Sequence, residues 1–247
     1  MLLWCFPLVI VAMQLLPAEH AFIIGFILLL LGLTKRLRAL LLFGLTVFGY
    51  LFWLLAAQYF TATISNLPLL IVLNRLGLIG YIVLFAIWLC VQPCAGYLKP
   101  GNLKATLKAP FIWWGASEYA WRFVLIACFA WVVPTVIFTF LHGYIFEFMP
   151  YALLFAVINP VFEGVLWHGL ILGRVVDYAG EKQGLILSAV AFGLYHLSLG
   201  FSVWVCLLFA IGGFYMGGLA IKSKGLLAPT ILHVFVNLAL VSFGIIF

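Results

Sequence analysis

A carboxylate, two imidazoles and an amide stand inside apolar runs near the end of this chain. Glu163 lies in the stretch Phe162-Glu163-Gly164-Val165-Leu166-Trp167-His168-Gly169, His196 closes Phe192-Gly193-Leu194-Tyr195-His196, and His233 opens His233-Val234-Phe235-Val236-Asn237. A charged side chain at the centre of a bilayer costs about 3 kcal/mol, so a chain that carries such groups into hydrocarbon is expected to use them. These residue types suit hydrolysis by an activated water. Glu163 would act as general base, and His196 would hold or polarise the water. His233 and Asn237 would donate hydrogen bonds to a developing oxyanion. From spacing alone a second reading stays open, in which the same groups bind helices together as polar residues do in membrane bundles.

The elements that must position these groups follow from composition. Hydrophobic residues make up 68% of the 247 positions and charged residues 7%, too few polar side chains to cover a water-soluble exterior. Apolar runs recur from end to end at lengths that suit helices crossing a ~30 Å core, and they lack the alternation of a membrane barrel. The fold class is therefore all-α, a polytopic transmembrane bundle of about eight to nine helices. Residues 1–247 read as one integral membrane domain with a motif-bearing core over about 150–246. Proline, glycine and charge punctuation places spans at about 2–16, 20–34, 39–57, 69–91, 122–141, 150–173, 184–200, 203–221 and 226–246. The first stretch lacks a basic leader and a small-residue cleavage site, so it reads as a retained span.

Alternating these spans gathers Lys35, Arg36, Arg38, Lys99, Lys104, Lys108, Arg122, Arg174, Lys182, Lys222 and Lys224 on one side, which the positive-inside rule makes cytoplasmic. The net charge of +6 is thus an orientation signal and points to no nucleic acid. Arg75 disagrees, which predicts that residues 64–75 are partly interfacial and that the fourth span begins near Leu76. The polar segment Gln92–Ala109 reads as a short amphipathic element on anionic lipid, with Trp113 and Trp114 as interfacial anchors. Cys90 and Cys94 would share a helix face, but the odd number of scattered cysteines predicts buried small side chains and no disulfide framework. Gly212, Gly213, Gly217 and Gly218 form small-xxx-small spacings that predict close helix packing. His20 and His142 fall near the outer face.

Position also separates the acidic residues. Glu19, Glu118, Glu147, Asp177 and Glu181 lie near span ends or loops, whereas Glu163 sits about thirteen residues into a span beginning near Pro150, close to mid-membrane. His196 and His233 reach overlapping depths on the last helices. Asn237 follows His233 by four residues and His196 follows Phe192 by four, so each pair shares a helix face. Asn159-Pro160 is expected to kink or widen the Glu163 helix and admit water.

The three segments resemble the motifs of the CPBP family, the CAAX prenyl protease and bacteriocin-processing proteins also called Abi. The family motifs read Glu-Glu-x-x-x-Arg, Phe-x-x-x-His and His-x-x-x-Asn or Asp, in this order on successive late membrane helices. The resemblance implies a glutamic-type intramembrane endopeptidase with no obligatory metal or other cofactor. Glu163 and His196 would activate water, and His233 and Asn237 would form the oxyanion site, with Trp167, His168 and Phe192 as supporting positions. It implies a membrane-embedded or lipid-anchored peptide substrate in a multi-pass protein of the inner membrane. The short loops resemble a bacterial member more than a eukaryotic prenyl protease.

Two positions depart from the family pattern together: Gly164 stands for the second glutamate and His168 for the arginine. On an α-helix these would face each other as an ion pair, and losing both leaves no unpaired arginine. His168 opens an alternative Zn²⁺ ligand set of Glu163, His168, His196 and His233, although five residues of α-helix put Glu163 and His168 about 140° apart. A catalytically inactive relative acting as a binding or immunity protein is the other alternative.

Overall fold

The computed structural model describes residues 2–142 and 149–246. Glu147 lies outside the described residues. Of the described residues 81% are helical. Its helices are α1 Phe6–Leu15, α2 Ala18–Thr34, α3 Arg38–Thr63, α4 Leu67–Leu73, α5 Leu78–Val91, α6 Ala120–His142, α7 Met149–Glu163, α8 Leu172–Tyr195, α9 Val203–Ser223 and α10 Leu227–Ser242. A 3₁₀ turn, Asn74–Gly77, joins α4 to α5, and a π-helical stretch, Gly164–Ile171, joins α7 to α8. The multi-pass bundle expected from composition is present, and the segments Arg38–Thr63, Leu67–Val91, Ala120–His142, Met149–Leu199 and Val203–Ser223 are long and apolar enough to cross a membrane.

Met149–Leu199 runs for 51 residues, far more than one crossing of a ~30 Å core needs. Gly180 resolves this. Its φ of 77° and ψ of 167° interrupt the helix in a conformation that residues with a Cβ rarely adopt. Two helical stretches result, close to the expected spans 150–173 and 184–200.

The core lies where α8 packs along α9 and α1, and α3 along α2 and α5. Trp167, Tyr81, Tyr195, Phe6 and Phe85 are its largest fully buried side chains. The short first helix is part of this core: Phe6, Ile10 and Met13 are buried, and Gln14 donates to the Leu194 carbonyl and accepts from the Ser198 amide. By contrast α6 turns Phe129, Phe140 and Leu141 outward, as a lipid-facing helix would. Of the expected packing stripe, Gly213 meets a neighbouring helix as predicted and Gly218 meets the turn of a β-hairpin instead. A Cβ on Gly213 would stand 2.8 Å from the Phe192 ring and one on Gly218 2.7 Å from Ile112, whereas Gly212 faces open space.

Two expectations for the middle of the chain are corrected. Gln92–Ala105 forms no helix, and Thr106–Pro110 pairs antiparallel with Gly115–Tyr119, β1 and β2, in register Thr106 to Tyr119. Leu107 and Ile112 turn inward and plug this hairpin into the bundle, and a Leu-x-x-x-x-Ile pattern this short carries no helical period to recognise. Trp113 is half-buried under the Lys222 ammonium and Trp114, exposed, lies beneath Lys182. Cys90 and Cys94 share no helix face either, because α5 ends at Val91. Burial pushes the Cys94 thiol up from its ordinary value, which makes it a poor thiolate and a poor redox partner.

Hydrogen bonds then tie the loop end of the bundle together. Leu226 and Leu227 amides donate to the Lys99 and Pro100 carbonyls, and the Asn102 amide donates to Ser223. Glu181 meets Lys222 and Lys224 at 3.7 and 3.2 Å. Lys182, Lys222 and Lys224 therefore sit at one end, as the charge alternation requires. Tyr97 is packed in the same place, and burial together with Glu181 and Asp177 pushes its phenol up to about 12.

Candidate active site

Glu163 ends α7 and is 1% exposed. One turn earlier Asn159 donates its Nδ2 to Glu163 Oε2 at 3.0 Å, a charge-assisted bond that fixes the carboxylate plane. Pro160 sits between them and has no amide hydrogen to give the helix. The helix widens immediately afterwards, over Gly164–Ile171. This is the widening expected from Asn159-Pro160, displaced to the residues that follow, and π-helical turns of this kind often mark functional sites.

Three further elements bring their side chains to this carboxylate. His196, just past α8, places Nε2 4.0 Å from Glu163 Oε1, and His233 on α10 places Nε2 3.6 Å from Oε2. The third element was not expected. Arg75, on the 3₁₀ turn between α4 and α5, places a guanidinium nitrogen 3.6 Å from Oε1. Its residue is 7% exposed, and its guanidinium carbon lies 5.4 Å from the Phe155 ring centre. The interfacial position expected for Arg75 is thus wrong, because the turn directs the side chain into the protein and not to headgroups. A signal was present: Arg75 is a lone cation in an apolar run without an acid of its own, and Glu163 is a lone anion in another.

His196 Nδ1 stands 2.9 Å from the Phe192 carbonyl oxygen. A carbonyl can only accept, so Nδ1 carries the proton, and in neutral imidazole Nε2 is left as an acceptor aimed at Glu163. The ring is further held by Phe192 and Phe209, 4.9 and 4.3 Å away between centres. Asn237 is 2% exposed one turn beyond His233, and its Nδ2 has no hydrogen-bond partner among the described residues. Glu163 Oε1 and His233 Nδ1 also lack one there. Buried polar atoms without partners are uncommon and call for an explanation.

The supporting positions are also placed. Trp167 is 1% exposed and packs on Phe192 and Tyr195, with ring centres 5.7 and 5.3 Å away. His168 lies with its ring 5.4 Å from Phe192 and 6.5 Å from His233. A π-helical stretch turns less per residue than an α-helix, so the 140° separation expected between Glu163 and His168 does not hold, and His168 joins the edge of the cluster. Gly164 points elsewhere: a Cβ there would stand 3.5 Å from Thr230 Oγ1. For the alternative zinc set, no group of three His, Cys, Asp or Glu side chains among the described residues is placed to hold a metal ion.

Residues 145–239 match the model of a known protein family, described as type II CAAX prenyl endopeptidase, Rce1-like. Over these residues the late helices are similar to Rce1-like proteins. Glu163, His168, His196, His233 and Asn237 all fall inside the match, whereas Arg75 and the whole first half of the chain fall outside it. The match supports a CAAX-type membrane endopeptidase in general terms, and with it a membrane-associated substrate. No curated protein and no solved structure matches the chain.

Proposed function

We propose that this protein is a glutamic-type intramembrane endopeptidase that hydrolyses a peptide bond of a membrane-embedded or lipid-anchored substrate. The observation that carries the reading is the geometry at Glu163 Oε1. Two acceptors, this oxygen and His196 Nε2, lie 4.0 Å apart, a separation that suits one water donating a hydrogen bond to each. Such a water is held and polarised by the two groups best suited to take its proton.

In the reaction, the water oxygen attacks the scissile carbonyl carbon as its proton passes to Glu163. The carbonyl π electrons move to oxygen, and the Asn237 Nδ2–H, with His233 Nε2–H, donates to the oxyanion that forms. Collapse of the tetrahedral intermediate breaks the C–N bond, and protonated Glu163 gives its proton to the departing amine. Asn159 keeps Oε2 occupied throughout, which leaves Oε1 as the oxygen that handles the proton. No step passes through a metal.

The proposal extends to a multi-pass protein of a bacterial inner membrane, supported by the short loops and the basic residues gathered at one end. A purified preparation in bilayers should cleave a lipid-anchored peptide whose cleavage site lies at membrane depth, and EDTA should leave the rate unchanged. Loss of cleavage on chelation, restored by zinc, would favour the metal alternative. Tight peptide binding without cleavage would favour the inactive binding or immunity protein.

A further inference from the structure

Arg75 lies outside the Rce1-like segment, and the segment lacks the glutamate and arginine of its own first motif at Gly164 and His168. Resting on the proteolytic reading above, we propose that Arg75 is a positioning residue that supplies the site's cation from another part of the chain. It holds Glu163 as its counter-ion and keeps the buried centre neutral during turnover.

The local sequence explains how an arginine arrives there. Asn66 caps α4 by accepting from the Leu69 amide at 2.9 Å, and Pro68 follows in the first turn, a combination that starts a helix firmly. After seven residues the chain tightens into the 3₁₀ turn Asn74–Gly77. A 3₁₀ turn advances about 120° per residue against about 100° in an α-helix, so it rotates Arg75 away from the direction that a continuous α-helix would give it. Gly77 lets the turn close on α3, since a Cβ there would already stand 3.1 Å from both Trp53 and Ala56.

Burial then makes the pairing obligatory. Leu67–Val91 contains no acidic residue, and an unpaired arginine within hydrocarbon is expensive. Among the described residues Glu163 is the acidic side chain that meets the guanidinium, and His196 approaches the same carboxylate oxygen. The distance of 3.6 Å to Oε1 is an ion-pair contact longer than a hydrogen bond, so the carboxylate is balanced without its proton-accepting oxygen being capped. When water gives its proton to Glu163, the negative charge moves to the oxyanion. The guanidinium stays, so the site sums to zero before the step, with the carboxylate, and after it, with the oxyanion. In a low-dielectric site this removes the cost of building an isolated charge.

The test compares Arg75→Gln, Arg75→Lys, Glu163→Gln and the double variant Arg75→Gln/Glu163→Gln in bilayers. Arg75→Gln should lower kcat by about 10²-fold with KM changed less than about threefold, and Arg75→Lys should recover to within about tenfold of wild type. Each single neutralisation should lower Tm, and the double should recover part of the loss, because neither charge is left alone. Wild-type kcat in Arg75→Gln, or Arg75→Lys no better than Arg75→Gln, would overturn the role. Strictly additive Tm changes would overturn the pairing. If the wild type cleaves no membrane peptide, the proteolytic reading and Arg75's part in turnover fail together, and the Tm cycle still decides whether residues 75 and 163 are partners.

Discussion

His196 donates its Nδ1 proton to the carbonyl of Phe192, one helical turn earlier, across 2.9 Å, and this bond decides what the opposite nitrogen can do. Nε2 faces Glu163 as an acceptor, so the two side chains together address a donor placed between them. A backbone carbonyl cannot rotate away as a side-chain partner would, and the Phe192 and Phe209 rings restrict the imidazole further.

His196→Ala should therefore lower turnover by about 10³-fold, the middle of the range for loss of a positioned acid–base group. Tm should fall by no more than loss of a buried ring's packing requires, since among the described residues the ring's hydrogen bond is to the Phe192 carbonyl of its own segment. Kinetics and thermal unfolding on the same preparation check this, and a rate within tenfold of wild type would remove His196 from the mechanism.

Asn237→Ala should reduce kcat by about 10²-fold with little change in KM, as expected when a donor is used only in the transition state. The unpartnered Nδ2 predicts a small effect on stability, because truncation orphans no donor or acceptor. A large fall in Tm with unchanged kcat would mark Asn237 as helix glue.

Gly164 and His168 were expected from α-helical spacing to face each other. In the π-helical stretch a Cβ at 164 looks toward Thr230, while His168 looks toward Phe192 and His233. The Tm changes of Gly164→Glu and His168→Arg should consequently be additive within about 0.5 kcal/mol in a double-mutant cycle. Strong recovery in the double variant would restore the facing register.

Gly193 sits where α8 crosses α9, three residues before His196, and a Cβ there would meet the Cys206 carbonyl oxygen at 2.3 Å and the Ala210 backbone nitrogen at 2.6 Å. Backbone atoms cannot give way as a side chain does. Gly193→Ala should cost about 2 kcal/mol or more by overpacking and displace His196, whereas Gly212→Ala, with open space around it, should be nearly neutral. Equal Tm values for the two variants would contradict this helix crossing.

Much of the fold was legible because membrane helices announce themselves by length and apolarity. The later spans could be drawn within a few residues, including the two helical stretches divided near Gly180. The cluster was legible in part for the same reason: Glu163, His196, His233 and Asn237 are conspicuous where polar groups are costly. Arg75 was misread because the positive-inside rule treats every cation as a loop residue and cannot see the 3₁₀ turn that redirects one inward. His168 was misplaced because a π-helical stretch changes the angular register, and hydrophobic periodicity over eight residues does not reveal it. The β-hairpin escaped because its strands are short and, of its side chains, Leu107 and Ile112 alone are buried.

The most direct test is cleavage of a lipid-anchored peptide in proteoliposomes by wild type and by Glu163→Gln, which keeps the side chain's shape and removes its ability to accept a proton as a base. The account predicts cleavage by the wild type, with a rate lower by about 10³-fold or more in Glu163→Gln although the variant remains folded. Equal rates from the two proteins would show that Glu163 does not activate the water.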